Sequence, residues 1–270
     1  MGKRGLSLFL ALLCGCAHEA ATGLAFGVLG DTPYTDSEVH RLDGLIDDMN
    51  RERLDFVVHV GDIGAGTRAC TDAWLEARKA QFARLRHRLV LIPGDNEWVD
   101  CKDQLGRLNA WRTVFCKPAL PVEVQPGEYC EHMRWEASGT LFVTLNVQGS
   151  NNNVRHGAEF AQRMAAVYAW LDDSAVLAEK RRLVLVLFMQ ADPFITLPHD
   201  GFAQLRERLA RLGNRMPERV VLVHGDSHFY HDDEPIPGVR RLEVWGSPIV
   251  SWVRGGVEAG ELAFSAPRYR

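Results

Sequence analysis

The sequence has no block of basic residues, no low-complexity tract and no internal repeat. Nor does it have an apolar run of the roughly 18 residues that a membrane-spanning helix needs. Each absence removes a class of protein. With no basic stripe and a formal net charge of −4, no nucleic-acid groove is expected. The six cysteines include no Cys-x-x-Cys pair, so zinc-ribbon spacing is missing. What remains is an ordinary globular composition, 46% hydrophobic and 24% charged over 270 residues. A chain of that length buries about three quarters of its unfolded surface and needs no staple to hold a core.

Residues 1–23 stand apart. Lys3 and Arg4 precede an apolar stretch from Leu6 to Leu13, the pattern of an export signal. Leu13-Cys14-Gly15-Cys16 resembles a bacterial lipobox, which implies lipidation at Cys16. Cleavage near Ala20-Ala21 is the alternative. Either route takes the chain to the bacterial cell envelope, lipid-anchored in the periplasm or secreted, and gives it a membrane contact only through the lipid. A single domain is expected over residues 24–270. Four cysteines lie beyond the signal, and an oxidising compartment predicts two disulfides among three possible pairings. Cys70–Cys101 with Cys116–Cys130 is the favoured pairing. Cys70 follows a Gly-Asp62 turn and Cys101 follows a Gly-Asp95 turn, so a bridge between them ties two loops together.

The first ninety residues alternate between the two hydrophobic periods. Leu24–Gly30, Leu54–Val60 and Leu89–Ile92 read as buried strands, while 36–50 and 72–86 carry apolar residues at helical spacing. Asp36 or Ser37 is the expected cap of the first helix. This strand–helix order predicts a parallel sheet with right-handed crossovers. Further on, Leu141–Val147, Leu183–Met189 and Val220–Val223 read as strands, and 105–115, 159–177 and 202–212 as helices. His231-Asp232-Asp233 reads as a solvated loop, and His59 and His224 as core residues.

Several of these strands end in groups able to hold a cation. The runs are Val-Leu-Gly-Asp31-Thr-Pro-Tyr34, Val-His-Val-Gly-Asp62, Leu-Ile-Pro-Gly-Asp95-Asn96-Glu97 and Val-Leu-Val-His224-Gly-Asp226-Ser-His228. A strand followed by Gly-Asp buries itself, turns at the glycine and presents a carboxylate at its carboxyl end, where open α/β sheets bind ligands. Four such ends on one chain point to convergent metal ligands.

The order of these motifs, with Gly-Ser-Asn151-Asn152-Asn153 between them, resembles the calcineurin-like metallophosphoesterases over residues 25–255. The resemblance implies an α/β fold of four layers, an αββα sandwich of two mixed sheets flanked by helices. It also implies a hydrolase of phosphoric esters in which a metal-bound hydroxide attacks phosphorus. Carried over residue by residue, it gives Asp31, Asp62, Asp95, Gln190, Asp226 and His228 as metal ligands, with Asp62 and Asn96 at the catalytic positions. Pro33, Asp95, Asn96, Gln190 and Asp226 depart from the family residues, and Asn96 stands where the family places its histidine. Most of the replacements still offer oxygen. A site of Asp62, Asp95, Gln190 and Asp226 is a hard one, favouring manganese, magnesium, iron or calcium over zinc, with two divalent ions expected. An amide donates no proton to a leaving group, so His132 and His156 are candidate donors. Tyr34, Trp98, Asn151, Asn152 and Asn153 are candidates for contacting a small phosphorylated substrate, the asparagines also reading as a turn. The rival readings are a catalytically degenerate, lipid-anchored binding protein of the same fold and, more distantly, a glycoside hydrolase with paired carboxylates.

Overall fold

The computed structural model describes residues 23–117, 120–195, 197–258 and 260–266. The export segment lies outside the described residues, and Cys16 with it. The first strand, β1 (Leu24–Leu29), is buried along its whole length, as a strand covered on both faces must be. Next comes α1 (Asp36–Met49), capped by Thr35 rather than by Asp36 or Ser37: the Thr35 hydroxyl accepts from the Glu38 N–H at 3.2 Å. Then follow β2 (Phe56–His59), the single turn α2 (Gly66–Ala69), α3 (Asp72–Phe82), β3 (Arg88–Leu91) and α4 (Gln104–Phe115). The second half runs through β4 (Glu123–Val124), β5 (Met133–Ala137), β6 (Thr140–Thr144), the turn α5 (Gly149–Asn152), α6 (Gly157–Arg181), β7 (Val184–Phe188), α7 (Ala203–Arg215) and β8 (Val220–His224). It ends with β9 (His231–Ile236), β10 (Val239–Glu243), β11 (Val253–Glu258) and β12 (Glu261–Ser265).

These strands form two mixed sheets. One has the order β12-β11-β1-β2-β3 and the other β4-β5-β6-β7-β8-β10-β9. In the first sheet β1, β2 and β3 run parallel, with β3 at one edge and the antiparallel β11 and β12 at the other; in the second, the parallel β6, β7, β8 and β10 form the centre between antiparallel strands at both edges. Between the sheets lies an aromatic layer. Phe26 stacks on Phe56 at 5.1 Å and meets Phe142 edge-on at 5.3 Å, and Trp135 and Phe188 extend the layer. Outside the first sheet pack Leu42, Ile46, Leu75, Phe82 and Trp111 from α1, α3 and α4. Outside the second pack Met164, Val167, Leu171, Leu205 and Leu209 from α6 and α7. The result is a four-layer αββα sandwich.

Both disulfides are the favoured pair, Cys70–Cys101 and Cys116–Cys130. Two local expectations change. His231-Asp232-Asp233 is part of the edge strand β9, not a loop, because Arg240 and Arg241 on β10 reach across to Asp232 and Asp233. Those charges make it a protected edge. The strand expected over 141–147 stops at Thr144, since Val147 turns its carbonyl to the N–H groups of Gln190 and Ala191. Among the described residues no helix is long and apolar enough to cross a membrane.

Candidate metal centre

The carboxyl ends of β1, β2, β3, β7 and β8 converge on one edge of the sandwich, and the sequence motifs arrive there together. Asp31 takes the Asp226 N–H on both carboxylate oxygens, each at 3.1 Å. Asp62 accepts the Asn96 N–H at 3.1 Å on one oxygen. Its other oxygen takes the Asn96 amide at 2.9 Å and the Tyr34 hydroxyl at 2.7 Å. Asp95 accepts from the Ser150 hydroxyl at 2.7 Å, and its other oxygen, Oδ1, is buried with no partner. Asp226 is braced by the Asp192 N–H at 3.0 Å and the Gln190 amide at 3.3 Å.

The backbone at these positions is unusual. Asp31, Asp62, Asp226 and His228 all have φ between 49° and 81°, in the left-handed region that non-glycine residues avoid. Such conformations cost of order 1–3 kcal/mol each and persist where the surrounding structure over-determines them. Glu97 is one of the groups that does so. It is wholly buried and accepts the N–H groups of Asp62, Ile63 and Gly94 at 3.1, 2.7 and 2.7 Å, clipping the β2 and β3 loops together. The Cys70–Cys101 bridge joins the same two loops from outside, with Cys101 Sγ 3.6 Å from the Asn96 carbonyl. Gly149 closes the approach from α5. A Cβ there would lie 2.5 Å from Asp226 Oδ1 and 2.8 Å from Asp95 Oδ1, so only glycine lets the turn pass so near the carboxylates.

Electrostatically the cluster is one-sided. Among the described residues no lysine or arginine pairs with Asp31, Asp62, Asp95 or Asp226; the one basic neighbour is His228, with Nε2 3.9 Å from Asp31. Burial, followed by the charge of Asp226, pushes Asp95 up to about 7. Burial holds Asp226 at about 6. Asp31 and Asp62 are raised well above the ordinary carboxylate range, first by burial and then by their acidic neighbours. Glu97 is raised by burial to about 7 against the pull of its three N–H donors. The Tyr34 phenol is raised by burial and by Asp62, so it stays protonated.

These features fit a hard divalent cation. The donors are oxygens, negative charge is buried without a counter-charge, and Asp95 keeps a free oxygen. His228 Nδ1 donates to the Ser247 carbonyl at 2.7 Å, which leaves Nε2 as a bare lone pair on the Asp31 side. That is the orientation a metal-binding imidazole adopts. No three ligand atoms of the aspartates and His228 lie within 4.8 Å of one another. Among the described residues the one group of three such ligand atoms within 4.8 Å of one another is Cys116, Cys130 and Glu131, whose cysteines are spent in a disulfide.

Several expected site residues are placed differently. Gln190 sits in the cluster, but its oxygen accepts the Gly149 N–H at 2.5 Å, and its nitrogen faces Asp226. In this geometry it orients a carboxylate. Trp98 is fully buried against Val99 and Leu108 and lines no open surface. The asparagine side chains are used as braces. Asn151 bonds Pro198, His199 and Gly201; Asn152 bonds Gly201 and Arg163; Asn153 bonds Gln104, His156 and Glu159. Ser150, overlooked in sequence, is the member of that motif that reaches a carboxylate of the centre, Asp95. Only its position beside the asparagines marked it. His59 and His224 are buried, held near 4 by that burial. His132 is likewise buried and lowered to about 4, stacked on Tyr129 at 5.1 Å, and bonds none of the carboxylates.

The sequence profile described as calcineurin-like phosphoesterase matches residues 12–230. No protein of curated function matches the chain in sequence. Among solved structures, a dimetal phosphatase from Danio rerio superposes with a TM-score of 0.61 at 16% identity, covering 90% of this chain and 95% of that one. GAP50, the anchor in the inner membrane complex of Plasmodium, gives 0.59 at 13% identity, covering 90% and 84%. A purple acid phosphatase from yellow lupin, Lupinus luteus, gives 0.57 at 12% identity; 91% of this chain is covered, but only 52% of that longer one. At these identities the likeness is one of fold.

Proposed function

The chain belongs to the calcineurin-like phosphoesterase family, and from that premise we propose that it is an exported, metal-dependent hydrolase of small phosphoric esters. The observation that carries this reading is the cluster of the buried Asp31, Asp62 and Asp95 with the half-buried Asp226, which has no basic partner but His228 among the described residues. Divalent ions bound there supply charge neutralisation at the phosphoryl oxygens and acidify water. The residues that would hold them are Asp31, Asp62, Asp95, Asp226 and His228. Asn96 and Tyr34 hold the Asp62 carboxylate in place through hydrogen bonds of 2.7 to 2.9 Å. Ser150 orients Asp95, and Gln190 with the Asp192 N–H orients Asp226. Tyr34, half-buried beside Asp62 and His228, bounds the space where a phosphoryl group sits.

Export is supported by Lys3, Arg4, the Leu6–Leu13 run and the lipobox-like Cys16, and by two disulfides, which persist in oxidising compartments. The test uses full-length protein stripped with chelator and reloaded with manganese. It is expected to hydrolyse an aryl phosphate, and Asp62→Asn to lower turnover by at least about 100-fold. Equal turnover in excess chelator would overturn the proposal.

A second reading is a metal- or ligand-binding protein that keeps the fold without turnover. It is favoured by the amide at Asn96, which has no proton to give a leaving group, and by the wide spacing of the ligand atoms. The likeness to GAP50, named as an anchor, shows that the fold also serves proteins described by attachment. A melting shift on adding manganese, with no turnover of monoesters or diesters, would support this reading over the first.

A further inference from the structure

Beside the carboxylate centre lies a second cavity of opposite character, of about 410 Å³. Ser150 is the wall common to both: its hydroxyl bonds Asp95 at 2.7 Å and Asp100 at 2.9 Å, and its residue lines the cavity. No acidic residue lines this space; Arg155, His156, His199 and Gln104 do, with Leu197 on the apolar side. Arg155 is exposed and makes no ion pair among the described residues. His156 uses Nδ1 on Asn153 at 2.6 Å, which leaves its other nitrogen uncommitted.

The cavity is built, not incidental. Ser150, Asn151, Asn152 and Asn153 run through four successive left-handed conformations, φ 48° to 56°. L-residues adopt such a run only under constraint. Asn151 and Asn152 use it to grip the loop that carries Pro198, His199 and Gly201. The strained turn thus faces the acidic centre with one residue and holds the basic cavity open with the next two.

We propose that this cavity is a distal anion subsite, and that the substrate of the neighbouring centre carries a second phosphate on a short apolar linker. The proposal rests on the phosphoester reading of the carboxylate centre. Arg155 binds the distal phosphate as a charge-assisted donor, His199 adds a further donor, and Leu197 packs on the linker carbons. A volume of this size holds a phosphate and a few carbons. An isolated monophosphate would leave the arginine unused.

The test is binding, so that it does not depend on turnover. Calorimetry with manganese-loaded protein compares butylphosphonate with butane-1,4-diyl bisphosphonate, neither of which can be hydrolysed at its P–C bond. The bisphosphonate is expected to bind at least about tenfold more tightly. Arg155→Ala is expected to erase most of that preference and leave butylphosphonate affinity unchanged, and Arg155→Lys to restore part of it. An unchanged melting temperature shows that the variants are folded. Equal affinity for the two compounds in the unmodified protein, including no measurable binding of either, overturns the subsite; so does a preference that survives Arg155→Ala. Failure of the hydrolase reading looks different: the preference persists while aryl phosphates are not turned over.

Discussion

At the scale of single residues, Glu97 is the most consequential side chain that is not itself proposed as a ligand. Its carboxylate satisfies three buried N–H groups on the loops bearing Asp62 and Asp95. Glu97→Ala strands all three donors, each costing about 1–3 kcal/mol. A loss of at least ~3 kcal/mol in urea unfolding is therefore expected, together with a loss of manganese affinity. A loss below about 1 kcal/mol would mean that water replaces the carboxylate. Gly149→Ala acts on the opposite side of the site, where the added Cβ meets Asp226 and Asp95 oxygens at 2.5 and 2.8 Å. Manganese affinity, read by titration calorimetry, is expected to fall about tenfold or more, and the metal-free protein to lose about 1–3 kcal/mol of stability to the overpacking.

At the scale of elements, the site is made by loops that the sheets position and the cross-links hold. The Cys70–Cys101 bridge spans 31 residues and joins the β2 and β3 loops. Replacing both cysteines with serine is expected to cost ~2–4 kcal/mol of stability by releasing that loop in the unfolded chain. Turnover measured below the new melting temperature is expected to fall as well, because Asn96 and Glu97 lie between the bridge and Asp62. Strands and helices with strong apolar periodicity were legible from sequence: β1, α1, β2, α3, β7 and β8 lie where the hydrophobic pattern placed them, within a few residues. β9 was not legible. Its sequence is charged and contains Pro235, and its strand character comes from pairing with Arg240 and Arg241, which only the folded sheet brings opposite. The left-handed turn at Ser150–Asn153 was legible as a turn, since asparagine tolerates that region, but its hand and direction were not.

At the scale of the whole molecule, buried carboxylates make stability depend on pH and on metal together. Asp95 and Glu97 near 7 and Asp226 near 6 titrate above their ordinary values of 3.8 and 4.5. The folded metal-free protein therefore binds more protons than the unfolded chain between those limits, and its stability falls as pH rises through that window. Thermal melting in chelator is expected to drop from pH 5 to pH 8. With manganese present the trend reverses, because cation binding competes with protons and strengthens as they leave. A flat profile in chelator would show that the carboxylates are already ionised and screened.

The sequence by itself determined the α/β class of fold and the acidic strand ends, and it favoured one disulfide pairing of three, because each is written in local patterns: alternation of period, Gly-Asp at a strand end, cysteines after paired turns. Only the tertiary structure decided which side of each group faces the centre. Gln190 turns its nitrogen inward because the Gly149 N–H occupies its oxygen, the asparagines look away to brace a loop, and Ser150 reaches Asp95. Those outcomes depend on groups distant in the chain, brought within 3 Å by the pairing of β6 with β7 and by the stacking of the two sheets, and no local pattern records them.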